Sequence, residues 1–135
     1  MNKGSCLCGK VRFSVAKFEP LLGHCHCKMC RKFHGAAFST FGEVRLENLA
    51  WDSGKSELKH YKADNGSIRS FCKHCGSSIL FESTFNRDNK TIEIALAAFD
   101  ELEPVEPDAH IYLDSKVPWL EVNDSLKKNQ GYRES

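Results

Sequence analysis

The sequence predicts a mostly β chain: a single domain over residues 1–135, built of several short antiparallel strands and hairpins, stapled by paired cysteine knuckles and holding at most one or two short helical turns. Three observations predict it. Short apolar runs carry a period of two, turn-forming residues interrupt them at close intervals, and the seven cysteines fall into tight groups.

Taken in order, KVRFSVA (10–16) sets Val11, Phe13 and Val15 against polar neighbours, the pattern of a strand with one buried face. AAFSTF, EVRLE, SELKHYK, SIRSFC, SSILFES, TIEIALAAF and AHIYLD continue the series. Asn65 and Gly66 in KADNGSIR tolerate positive φ and supply a hairpin turn. NRDNK, residues 86–90, reads as another turn. The helical stretch is one or two turns around Lys28 to His34. DELEPVEPD is an acidic, proline-bearing loop, and about 126–135 reads as a flexible polar tail.

Composition narrows the function classes. With 41% hydrophobic and 27% charged residues, the chain is globular in type, and 135 residues suffice for one core. A formal net charge of +1 gives no general attraction to nucleic acid or anionic membrane. No apolar run has the length of a signal peptide or a membrane span, so the expected location is the cytoplasm. Thiols stay reduced there, and clustered cysteines then argue for metal binding or chemistry over disulfides.

The cysteines form three groups: Cys6 with Cys8, the triple Cys25, Cys27 and Cys30, and Cys72 with Cys75. In CLCGKV and CKHCGSSI the second cysteine is followed by glycine, Gly9 and Gly76, and then by a strand. That is the build of a zinc knuckle, in which a tight turn aims two sulfurs at one ion. Two knuckles give the four thiolates of a closed structural zinc site, assigned to Cys6, Cys8, Cys72 and Cys75. The bland alternative is a pair of buried free cysteines. A rival partition, Cys6 and Cys8 with Cys25 and Cys27, is geometrically poorer.

The triple stands by itself. Cys25 and Cys27 project to one side of an extended segment, and Cys30 lies one helical turn beyond Cys27, so all three reach one ion. Three protein ligands with an open fourth position are the layout of a catalytic zinc, the fourth ligand being substrate or water. A histidine could close the site instead. His34 is the best placed, since His24 and His26 alternate with the cysteines and point the other way.

GSCLCGKVRF, HCHCKMCRK, IRSFCKHCGSSI and HIYLDSKVPW together resemble the GFA family, whose named activity is glutathione-dependent formaldehyde activation, or S-(hydroxymethyl)glutathione synthase; a centromere-associated branch shares the domain. The resemblance runs from Gly4 to about Trp119. It implies a mostly β, zinc-stapled fold with two zinc ions, one structural and one exchangeable in the C-x-C-x-x-C triple. It further implies a carbon–sulfur lyase whose small-molecule partners are a thiol such as glutathione and formaldehyde or a related small aldehyde.

Charge and the late block add candidates. Lys28, Arg31 and Lys32 could offset the anionic site and receive the carboxylates of glutathione, against the plainer reading of a solvated face. His110, Asp114, Ser115 and Trp119 could line the pocket, with His110 moving a proton to the new alkoxide. The plainer readings are a structural histidine and, for Trp119, a core aromatic. Two other function classes stay open: a non-catalytic zinc-stabilised interaction module, and a thiol redox protein using Cys27 with Cys30 or Cys72 with Cys75.

Overall fold

A computed structural model of the chain describes residues 1–133. In chain order the strands and helices are β1 (Asn2–Ser5), β2 (Arg12–Val15), β3 (Leu22–Cys25), α1 (Lys28–His34), β4 (Ser39–Arg45), β5 (Leu49–Ser53), β6 (Leu58–Lys62), β7 (Ile68–Cys72), β8 (Ser78–Glu82), α2 (Thr84–Asn89), β9 (Thr91–Ala95), β10 (Phe99–Glu101), β11 (Ala109–Ile111) and β12 (Lys127–Lys128). The mostly β class predicted from the sequence is therefore the class observed. The chain folds as two compact units, one of Met1–Pro20 with Gly42–Val105, the other of Leu21–Phe41 with the described residues from Glu106 on.

The first unit holds an antiparallel sheet in the order β10-β1-β2-β5 and a strand run β4-β9-β8-β7-β6. The alternation read in KVRFSVA survives: Val11, Phe13 and Val15 are buried and join Val44, Ile79, Leu80, Ile92 and Ile94 in one core. Phe13 meets Trp51 and Phe99 edge-on, at centroid distances of 5.9 and 5.2 Å. Such edge-to-face pairs each add about 0.5–1.5 kcal/mol to area burial. Cys6 and Cys72 are members of this core, so one cysteine of each knuckle is fixed by packing before any ligand is considered.

The hairpin predicted at Asn65 and Gly66 joins β6 to β7, closed by the Ala63 N–H donating to Ser67 O at 2.9 Å. NRDNK, read as a turn, is instead the last part of α2. Ser83 and Asn86 form a reciprocal capping box at its start, and Lys90 ends it at φ 55°. Asparagine replaces the usual Glu or Gln at the third position of the box, which hides the helix from a motif search. TIEIALAAF divides into β9 and β10 around a 3-10 turn, while AAFSTF and EVRLE merge in β4.

The second unit differs in direction. β3, β11 and β12 run parallel, with Ile111 opposite Cys25 and His110 opposite His24. The helix predicted at Lys28 to His34 is α1. The Cys27 sulfur caps it by accepting the Cys30 N–H at 3.3 Å, and Gly35 closes it in the left-handed region. Of the stretch read as a flexible tail, residues 126–133 are described and contain β12, with Asn129 buried and its side chain donating to His110 O; Glu134 and Ser135 lie outside the described residues.

Arg133 grips Asp108 through two N–H···O bonds of 2.6 and 2.8 Å. The Arg133 guanidinium holds the Asp108 carboxyl below its usual range, against partial burial. A carboxylate depressed in the fold stabilises it above its unfolded pKa of about 3.9, and that contribution is lost as the pH falls through the folded value. Arg133→Ala is expected to cost less than about 1 kcal/mol, because the pair is solvent-screened. It should still speed amide exchange at Asn129 and Gly131 at neutral pH and do so little at pH 3, which exchange measured by mass spectrometry checks.

Candidate functional site

The first cluster is assembled by two matching turns. Cys6 O accepts the Gly9 N–H and Cys72 O the Gly76 N–H, at 3.0 and 2.8 Å. Gly9 and Gly76 have φ of 80° and 79°, a region costly to residues with a Cβ, which is why glycine follows each knuckle. Backbone N–H groups point at the sulfurs: Val11 donates to Cys6 at 3.3 Å and His74 to Cys72 at 3.4 Å. The Leu7 N–H donates to Ser77 Oγ at 2.8 Å and so ties the two turns together.

The four Sγ atoms of Cys6, Cys8, Cys72 and Cys75 lie within 4.8 Å of one another. Cys6 and Cys8 are 3.5 Å apart, Cys8 and Cys72 3.8 Å. A tetrahedral ion with metal–sulfur bonds of about 2.3 Å sets its sulfurs about 3.8 Å apart, so the donors fit a metal ion. Their titration fits too. Ser77 pulls the Cys75 thiol down to about 5. The Lys10 backbone favours the Cys8 thiolate, yet desolvation and the neighbouring sulfurs push Cys8 up to about 11. Thiols this close cannot all ionise together unless a cation shares the charge.

The second cluster follows the chain. Cys25 ends β3, Cys27 caps α1 and Cys30 lies in its first turn, and their sulfurs are within 4.8 Å of one another. Cys25 and Cys30 are buried and Cys27 half-buried. The Cys27 and Cys30 thiols, with burial, push the Cys25 thiol strongly upward, as thiols held this close must when no cation shares their charge. Among the described residues, no histidine nitrogen joins this group. His34, the leading candidate for closing it, sets its ring 5.3 Å from that of Phe41.

His24 and His26 do face away from the cysteines, as the alternation predicts. They form a chain that the sequence hides. His24 Nδ1 meets Thr40 Oγ1 at 2.7 Å. His26 Nε2 is 2.8 Å from His110 Nδ1, and His110 Nε2 is 2.8 Å from Asp124 Oδ2. The Asp124 carboxylate accepts from His110 Nε2–H; with a neutral His110 ring, Nδ1 then accepts from His26 Nε2–H. Burial, with the nearby His110, His24 and Lys116, pushes His26 down to about 4, so the ring is neutral. The His110 hydrogen bond holds Asp124 below its usual range. His110 is thus 3% exposed with both nitrogens engaged. Asp124 carries no motif; the one signal was a strand histidine in need of a partner.

The remaining candidates scatter. Arg31 is half-buried and donates from Nη1 to Ser115 O at 2.8 Å, while Lys28 and Lys32 are exposed. Asp114 is exposed, and Trp119, expected in the core, is 75% exposed. It follows a segment whose buried anchor is Val117 instead. Tyr112, which the sequence did not single out, stands at φ 57° and ψ 40°, uncommon for an aromatic residue. Among the described residues, no helix is long and apolar enough to cross a membrane.

Comparison with known proteins now bears on this arrangement. A solved Rhodobacter sphaeroides protein superposes with a TM-score of 0.62 at 24% identity, covering 76% of this chain and 91% of its own, which supports the fold. A Schizosaccharomyces pombe protein named as an uncharacterised lyase is 28% identical over 114 residues, or 84% of this chain and 80% of that protein. A Halomonas elongata protein, provisionally named a glutathione-dependent formaldehyde-activating enzyme, is 29% identical over 134 residues, with 89% of this chain and 80% of its own length covered. The family model described as glutathione-dependent formaldehyde-activating enzyme matches residues 1–115, and all seven cysteines fall inside that span: the chain belongs to this family.

Proposed function

We propose that the protein is a carbon–sulfur lyase working in the synthetic direction, joining a thiol such as glutathione to formaldehyde or a related small aldehyde, with zinc in both cysteine clusters. The observation that carries this reading is the second cluster: three thiols in reach of one ion with, among the described residues, no histidine nitrogen joining them. All-thiolate donor sets suit soft or borderline ions, zinc among them, over magnesium or calcium. A zinc ion held by Cys25, Cys27 and Cys30 supplies an open position that lowers the pKa of an incoming thiol. The relatives' names, lyase and formaldehyde-activating enzyme, agree in reaction class. A cytoplasmic setting, where glutathione is abundant and thiols stay reduced, belongs to the same reading.

The reaction adds RS–H across the aldehyde C=O. The carbon–sulfur bond forms as the carbonyl π bond breaks, its electron pair moves to oxygen, and that oxygen gains the proton the thiol gives up. A free thiol of pKa near 8.5 is only about 3% thiolate at pH 7, so ionisation gains at most about thirtyfold, or ~2 kcal/mol. Positioning must supply the rest. Arg31, steadied by Ser115 O, and the exposed Lys28 and Lys32 offer cations to the substrate's carboxylates. His110 acts in this reading as a positioning residue, fixing the His26 ring through the 2.8 Å contact between His26 Nε2 and His110 Nδ1.

Thiol binding tests it without turnover. With cobalt in the second cluster, added glutathione should raise the sulfur-to-cobalt absorption, and its affinity should rise about tenfold per pH unit below 8.5, since binding releases a proton. S-methylglutathione should bind far more weakly and without that slope. Equal binding of the two would mean a closed site and leave the non-catalytic interaction module as the function.

A further inference from the structure

The αL backbone at Tyr112 re-aims a side chain. β11 pairs with β3 in parallel register, Ala109 with Gly23, His110 with His24 and Ile111 with Cys25. The His26 N–H donates to Ile111 O at 3.0 Å, so the register holds through Ile111. Side chains alternate along a strand, so an extended residue 112 would stand with His110 on the histidine face. That face is filled: His24, His26, Phe38 and His110 lie ring to ring at 4.8–6.2 Å. Tyr112 leaves the extended conformation at this point and adopts φ 57°, fixed by its N–H donating to Gly131 O at 2.8 Å and its carbonyl accepting the Ser115 N–H at 3.0 Å. The turn therefore takes residue 112 out of the strand one position past Ile111, the residue paired with Cys25. Burial first, then the nearby Cys25 and Cys27, raise the Tyr112 phenol above its usual range. A glycine would take this conformation without strain, yet a half-buried aromatic with a hydroxyl stands here.

Resting on the lyase reading above, we propose that Tyr112 is a catalytic residue whose hydroxyl donates a hydrogen bond to the aldehyde oxygen as the carbon–sulfur bond forms at the Cys25, Cys27 and Cys30 cluster. The electron pair of the breaking π bond moves onto that oxygen, and a preplaced donor favours the developing charge over the neutral carbonyl. Tyr112 keeps its own proton; the alkoxide takes one from solvent to replace that lost by the thiol. The plainer role is packing, since the Tyr112 ring is 6.4 Å from that of Tyr132. Phenylalanine would preserve it.

Two measurements on the full chain decide. The protein has three tyrosines, so fluorotyrosine labelling gives three fluorine resonances, and Tyr112→Phe identifies one by its loss. That resonance should move when cobalt is added, and stay put when the same addition is made to Cys27→Ser. No movement in the parent would overturn the placement. With zinc and formaldehyde, Tyr112→Phe should lower kcat for adduct formation by about 10- to 100-fold while glutathione affinity and metal content hold. An unchanged kcat, or affinity and metal content lost together with kcat, would return Tyr112 to packing. A parent that binds thiol but forms no adduct would remove the lyase reading and the role of the hydroxyl with it, while the fluorine shift would still report where the ring lies.

Discussion

Cys75→Ser is expected to yield protein that no longer unfolds cooperatively, or that does not stay soluble. Cys75 is half-buried at the margin of the core, so exchanging sulfur for oxygen disturbs packing little. What it removes is one of the four thiols placed to share an ion. A structural zinc in a cysteine site contributes an apparent ~10–16 kcal/mol, whereas a whole domain is stable by about 5–15. Few domains survive losing most of that. Circular-dichroism melting and metal content of the purified variant check it; a variant as cooperative and as stable as the parent, with its first metal retained, would sink the assignment of this cluster.

Cys27→Ser is expected to behave in the opposite way: folded, one metal per chain instead of two, and adduct formation down by roughly a thousandfold, the product of lost thiol ionisation and lost positioning. Cys27 caps α1 and is one of three thiols placed to share an ion. Serine is among the best N-cap residues, so the helix keeps its first hydrogen bond and the melting temperature should move by only a few degrees. Metal content by mass spectrometry and the rate of glutathione-dependent formaldehyde loss measure the two halves. Retention of two metals would show that the triple is not a site.

The cysteine clusters were legible because each is written into a short stretch: spacing and the glycines after Cys8 and Cys75 specify the turns, and the turns place the sulfurs. Strands with one buried face were legible for the same local reason, as Val11, Phe13 and Val15 show. The histidine chain was not. His26 and His110 are 84 positions apart and meet only because β3 and β11 lie in parallel register, which no periodicity announces. Likewise β1, β3, β5 and β12 are short or polar enough that pairing, rather than pattern, makes them strands. The left-handed turn at Tyr112 is hidden in AHIYLD for a related reason: its sequence favours a strand, and the hydrogen bonds Tyr112 donates to Gly131 O and accepts from the Ser115 N–H override the preference.

The first cluster joins sulfurs 64 positions apart, Cys8 and Cys72, and this has a consequence for how the chain reaches its fold. An ion gripped by both is a crosslink in the polymer sense. Closing a loop of that length removes about 4 kcal/mol worth of disorder from the unfolded ensemble. Chains that capture metal early therefore search a smaller space, while chains that collapse first must bring β1 and β7 together by diffusion alone. On a ribosome the first two sulfurs emerge long before the last two, so refolding from denaturant and synthesis in the cell should differ in when the ion arrives. Chelator added during refolding should then slow the appearance of native signal, while chelator added afterward should mainly set how long the native state lasts.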